Sequence, residues 1–181
     1  MSYKKKIDNS IEAWRKSKPS SDLDLYTINE CDLVNYKYPT FMIAMGTTCT
    51  FKCERECGME VCQNHPLLKE DIIHYSIPNA IWRYDRQSLS KSITLQGLEP
   101  LDNMVQLIWF LIEFRRDHND TVIIWTGYTE EECESFIELL KELEIDNIII
   151  KFGRFVPNKE PHFDEILGVE LANEEQYAKE F

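Results

Sequence analysis

Between Ser92 and Lys151 the chain alternates short β-branched runs with amphipathic stretches, an order that few folds accept. Ser92-Ile-Thr-Leu-Gln96 is a strand stopped by Gly97, and Thr121-Val-Ile-Ile-Trp-Thr126 is a second, stopped by Gly127. Asn147-Ile-Ile-Ile-Lys151 is a third. From Leu101 to His118 the residues Leu101, Met104, Val105, Ile108, Leu111 and Ile112 share one helical face. Pro100 precedes them, where its missing N–H costs little. Thr129 with Glu132 forms a capping box ahead of the stripe Cys133, Phe136, Ile137, Leu140 and Leu143. Strand, helix, strand, helix, strand at this spacing predicts right-handed βαβ units on a mostly parallel sheet, an α/β fold.

Upstream, Pro39 to Gly46 reads as a buried strand ending at a glycine, with Tyr26 to Ile28 and Leu33 to Tyr36 as shorter strands. Leu67 to Tyr75 and Ala80 to Leu89 read as helices separated by Pro78. Residues 1–24 read as an N-terminal arm, a short helix and linker, which leaves 25–181 as a single domain. Ligands of parallel α/β sheets bind beyond the carboxyl ends of the strands. Three motif-bearing segments fall at such ends: Gly46 to Asn64, Gly97 to Pro100, and Thr126 to Tyr128.

Twenty basic against thirty-two acidic side chains give a net charge of −12, which argues against a nucleic-acid binder. The apolar runs, such as Leu107 to Ile112, are far shorter than the ~20 residues that span a bilayer, so no membrane partner is expected. The basic stretch Lys4, Lys5, Lys6, Arg15, Lys16 and Lys18 lacks the apolar core of a secretory signal, and the expected compartment is the cytoplasm. In a reducing compartment six cysteines are ligands, reactive thiols or core residues rather than disulfides.

Four of those six, Cys49, Cys53, Cys57 and Cys62, lie in one loop directly after the first buried strand. Thiolates at this density suit zinc or an iron–sulfur cluster. Structural zinc sites usually draw two cysteine pairs from distant segments, and no second pair follows downstream, so the single-loop cage points first to a cluster. A non-catalytic zinc-binding module is the alternative. Cys133 falls on an apolar helical face and reads as core, while nothing gives Cys31 a role. The four histidines are scattered singly, and Glu130, Glu131, Glu132 and Glu134 read as a solvated helix face. The acidic C-terminal stretch from Glu160 to Glu180 reads as solvated or as a dock for a basic patch.

A cysteine loop after the first buried strand, followed by the turn Gly97-Leu-Glu-Pro100, resembles the radical S-adenosylmethionine enzymes. Cys62-Gln-Asn64 resembles the end of the cluster loop in the short activating enzymes of that family. Ile124-Trp-Thr-Gly-Tyr-Thr129 resembles a segment of those that serve anaerobic ribonucleoside-triphosphate reductase. The likeness runs from about Tyr26 to about Phe155. It implies a partial (β/α) barrel in which three cysteines hold a [4Fe–4S] cluster with one iron left open for S-adenosylmethionine. The ligands it implies are Cys49, Cys53 and Cys62, with Cys57 in an insertion; with Cys57 as third ligand the family spacing would be one residue too long. Gly97, Glu99 and Thr126 are the implied S-adenosylmethionine contacts, Glu99 holding the methionyl amino group, and Val61 or Phe51 would pack on the adenine. Leu98 stands where the family has a second glycine, so its side chain must point away from the cofactor.

The implied activity is reductive cleavage of S-adenosylmethionine to a 5′-deoxyadenosyl radical that installs a glycyl radical. The implied partners are the glycyl-radical subunit of anaerobic ribonucleotide reductase and a flavodoxin-like electron donor. The alternative within the family is action on another glycyl-radical enzyme or on a small molecule. No general base is required, because the radical itself removes hydrogen.

Overall fold

A computed structural model describes residues 3–181. In chain order the elements are α1 (Tyr3–Lys16), β1 (Asp22–Leu25), β2 (Ile28–Asp32), β3 (Thr40–Gly46), α2 (Lys52–Cys57), β4 (Ile73–Ser76), α3 (Ile77–Arg86) and β5 (Ser92–Gly97). They continue with α4 (Met104–Arg115), β6 (Thr121–Trp125), α5 (Glu134–Glu142), β7 (Ile148–Phe152), β8 (His162–Asp164), β9 (Val169–Leu171) and β10 (Tyr177–Glu180). The main sheet is six-stranded, in the order β10-β7-β6-β5-β3-β2. β3, β5, β6 and β7 pair in parallel, and the antiparallel strands β2 and β10 end it on either side.

Alternation along each strand sends side chains to opposite faces. Phe41, Ile43, Ile93, Leu95, Val122, Ile124, Ile148 and Ile150 meet the helices in one large core, with Ile108, Leu111 and Phe136 among the helical residues opposite them. Ile123 and Ile149 face the other way and pack on Leu167 from the turn after β8, Leu171 of β9 and Ala178 of β10. Strands covered on both faces need apolar residues at every position, which is why these runs are continuous rather than alternating. The acidic C-terminal stretch is therefore structural. β8 and β9 form a hairpin, pinned where Asp164 accepts hydrogen bonds from Leu167 N at 2.8 Å and Ala178 N at 2.9 Å.

The segment expected as an arm is tied to the domain. Ile7 and Ile11 of α1 enter the main core, and β1 pairs antiparallel with β4. That pairing overrides the helix expected from Leu67 to Tyr75. Pro66 starts a short 3-10 turn over His65–Lys69, after which the chain extends into β4. Nor does Pro78 stand between a pair of helices. It lies in the first turn of α3, behind Ser76, whose hydroxyl accepts the Asn79 N–H at 3.2 Å. Leu33 to Tyr36 lies beyond β2 and is not a strand; Leu33 and Val34 are exposed. Among the described residues, no helix is long and apolar enough to cross a membrane.

Candidate metal centre

A cavity of about 360 Å3 opens at the carboxyl ends of β3, β5, β6 and β7. Its first wall is built by two glycines in mutual contact. Gly97, at φ +120°, lets β5 turn under β3, and Leu98 N donates to the Gly46 carbonyl at 2.7 Å. A Cβ on Gly46 would lie 2.5 Å from Glu99 N, and one on Gly97 would lie 2.8 Å from Gly46 N. Only bare backbone brings the loop after β3 so close to the Glu99 turn.

Cys49, Cys53 and Cys62 line this cavity. Cys57 does not: at the end of α2 its thiol turns to the Glu54 and Met59 carbonyls. All six cysteines are free, and Cys53 and Cys62 share a thiol hydrogen bond that holds the proton on Cys53 and favours the charged form of Cys62. Burial pushes the Cys49 thiol up to about 11, with the Glu99 and Asp102 charges adding to it. Glu54 braces the loop from outside, accepting the Cys62 N–H at 3.0 Å and lying 3.2 Å from His65 Nδ1. Asn64 fastens the loop to β5 by donating to the Gly97 carbonyl at 2.6 Å.

Among the described residues, no three Cys, His, Asp or Glu side chains converge as the ligands of one ion would. A four-cysteine zinc site would need all four thiols, and the Cys57 thiol turns to backbone carbonyls outside the cavity. The three soft sulfurs that do line the cavity suit an iron–sulfur cluster. The residues present fit that group.

Glu99 stands on the next wall, 5% exposed. Its Oε1 accepts the Thr126 hydroxyl at 2.7 Å and Leu101 N at 3.1 Å, and its Oε2 accepts Gly127 N at 2.9 Å. Burial, and then the Asp102 charge, push the carboxyl up to about 7 against these three hydrogen bonds. Gly97, Glu99 and Thr126 thus line the same cavity. Leu98 packs with Tyr26 and Ala44 beside Cys49 and Phe51, so Phe51 serves this small cluster and only Val61 of the two expected adenine neighbours faces the cavity.

Several cavity residues were missed by sequence reasoning. Lys151, 5% exposed, donates to the Gly153 carbonyl at 2.8 Å, and burial lowers it to about 7. Its signal was a lone charge in an otherwise apolar strand. Arg154 also lines the cavity and pairs with Glu132 at 2.7 Å. The capping box does form, through Thr129 N to Glu132 at 2.9 Å and Glu132 N to Thr129 at 3.3 Å. Glu132 is therefore no solvated acid: the pull of those donors and of Arg154 lowers its carboxyl despite burial. The hairpin contributes Val169 and Leu171 to the far wall.

Three thiols from one loop, lining a cavity at the carboxyl edge of an α/β sheet, are the arrangement of an iron–sulfur protein. The chain belongs to the family described as a 4Fe-4S single cluster domain, which matches residues 41–170. That span opens in β3, takes in the whole cysteine loop and the parallel strands, and closes in β9. No curated protein and no solved structure matches the chain.

Proposed function

We propose that this iron–sulfur protein is a radical S-adenosylmethionine activating enzyme, which installs a glycyl radical on anaerobic ribonucleotide reductase with electrons from a flavodoxin-like donor. On this reading the open sheet is the wall of a partial (β/α) barrel. Cys49, Cys53 and Cys62 hold the cluster, and Gly97, Glu99 and Thr126 hold the nucleotide. The observation that carries the reading is the shared cavity: those three thiols and the buried Glu99 carboxylate line the same space, while Cys57 faces away.

When bound, a reduced [4Fe–4S] cluster supplies the electron that cleaves the sulfonium, giving methionine and a 5′-deoxyadenosyl radical. The chain's own residues bind and orient. Glu99 is held rigid by Thr126, Leu101 and Gly127, with lone-pair capacity left to accept from a methionyl amino group. Above about pH 7 it carries the charge that such a contact needs. A Cβ on Gly127 would lie 3.5 Å from Glu99 Oε2, so this glycine keeps the approach to the carboxylate clear. The β8–β9 hairpin excludes water from the far side, which protects a reactive species.

Anaerobic purification with iron and sulfide analysis tests the reading. About four of each per chain are expected. The reduced protein should give a paramagnetic resonance signal that changes when S-adenosylmethionine is added. One zinc per chain with no such signal would overturn it.

A further inference from the structure

Helix α1 packs Tyr3 on Tyr128 of the cavity wall and adds an ion pair beside it. Lys6 Nζ lies 2.5 Å from Asp102 Oδ1, with the Asp102 side chain 3% exposed. The same oxygen accepts the Tyr128 hydroxyl at 2.6 Å. Asp102 belongs to the 3-10 turn Pro100–Asn103 that directly follows Glu99, so two carboxylates withdrawn from water stand three residues apart. Glu99 is faced by Asp102 from this turn, Cys49 from the cysteine loop, Tyr128 and Cys133 from the segment after β6, and Lys151 from β7. Lys6 touches Asp102 and not Glu99.

The helix is docked independently of this contact. Ile7 and Ile11 are buried, Ser135 donates to Asp8 at 2.6 Å, and Arg15 pairs with Glu142 at 2.6 Å. Removing the Lys6 charge therefore leaves α1 in place and Asp102 without its cation. Asp102 N donates to the Glu99 carbonyl at 3.1 Å, and like charges on one such buried turn disfavour double ionisation; the carboxyl that gives way spoils an anionic site.

We propose that Lys6 is a positioning residue for Glu99: by neutralising Asp102 it leaves Glu99 as the anion that the cavity presents to an amino-bearing ligand. The proposal rests on the reading of Glu99 as the contact for the methionyl amino group of S-adenosylmethionine.

Equilibrium dialysis of S-adenosylmethionine against anaerobically reconstituted protein, from pH 6 to 9, tests it. Lys6→Met is expected to weaken binding about fivefold at pH 7 (~1 kcal/mol) with iron and sulfide content unchanged. The rising limb of its affinity–pH curve should move up by about one unit. Lys6→Arg should restore both, and Asp102→Asn alone should move the limb down. In the Asp102→Asn background, Lys6→Met should weaken binding no further. Equal affinities and profiles for the wild type and Lys6→Met would overturn the proposal. So would a Lys6→Met defect that persists undiminished beside Asp102→Asn, since that marks a purely structural role. Absence of binding by the wild type would remove both this inference and the activase reading; binding by the wild type with no Lys6 effect removes this inference alone.

Discussion

Cys57 and Cys62 belong to one short loop, yet the six-residue helix α2 directs the first thiol outward and only the second lines the cavity. Cys49→Ala, Cys53→Ala and Cys62→Ala are each expected to lose the cluster, measured as iron, sulfide and visible absorbance, whereas Cys57→Ala retains it. Loss at Cys57 with retention at Cys62 would reverse the assignment. Glu99 gives a test of another kind. Its carboxyl, raised to about 7 from an ordinary value of 4.5, binds a proton in the folded chain that the unfolded chain has released. Its contribution to stability is therefore full below about pH 4.5 and is lost as the pH rises through 7, a difference of roughly 3 kcal/mol. Glu99→Gln does not titrate. Whatever constant penalty it brings, urea unfolding of cluster-free protein should show its stability relative to wild type improving from pH 4.5 to 7.5. A flat difference would mean that Glu99 ionises freely. The same buried carboxylate is then a cost to the empty fold and an asset to the site.

At the level of elements, β3 and β5 meet through Gly46 and Gly97 with no room for a side chain. Gly46→Ala should destabilise the fold by about 2–4 kcal/mol, read as a lower urea midpoint, because the new methyl would press on the Glu99 and Pro100 backbone. The strands β3, β5, β6 and β7, the helices α4 and α5 and the capping box were legible in the sequence because each is written in local periodicity and local caps. β4 was not, since it exists through pairing with β1, nearly fifty residues away. The docking of α1 was equally hidden: Ile7 and Ile11 stand among lysines and polar residues, and a sparse apolar face does not say what it will meet. In the site, thiols and the Gly97-Leu-Glu-Pro100 turn could be read from spacing and resemblance. Lys151 and Arg154 could not, because their role comes from where β7 ends relative to β5 and β6.

In the whole molecule the two faces of the sheet are covered by different means. Helices cover one, and the C-terminal strands cover the other while also lining the cavity. Leu171, 2% exposed, serves both purposes. Leu171→Ala should lower stability by about 2–4 kcal/mol and also weaken S-adenosylmethionine binding, by opening the far wall to water. Unchanged binding would show that the hairpin is only structural. The proposed reaction partners are proteins, and the net charge of −12 sets the terms on which any of them docks: association should depend on ionic strength. The central claim, a cluster and a sulfonium nucleotide brought together in one cavity, is tested most directly by anaerobic incubation of the reconstituted protein with S-adenosylmethionine and a reductant. The account predicts 5′-deoxyadenosine formed by the wild type and abolished in Cys62→Ala. A protein that carries its full complement of iron and sulfide and yields none would contradict it.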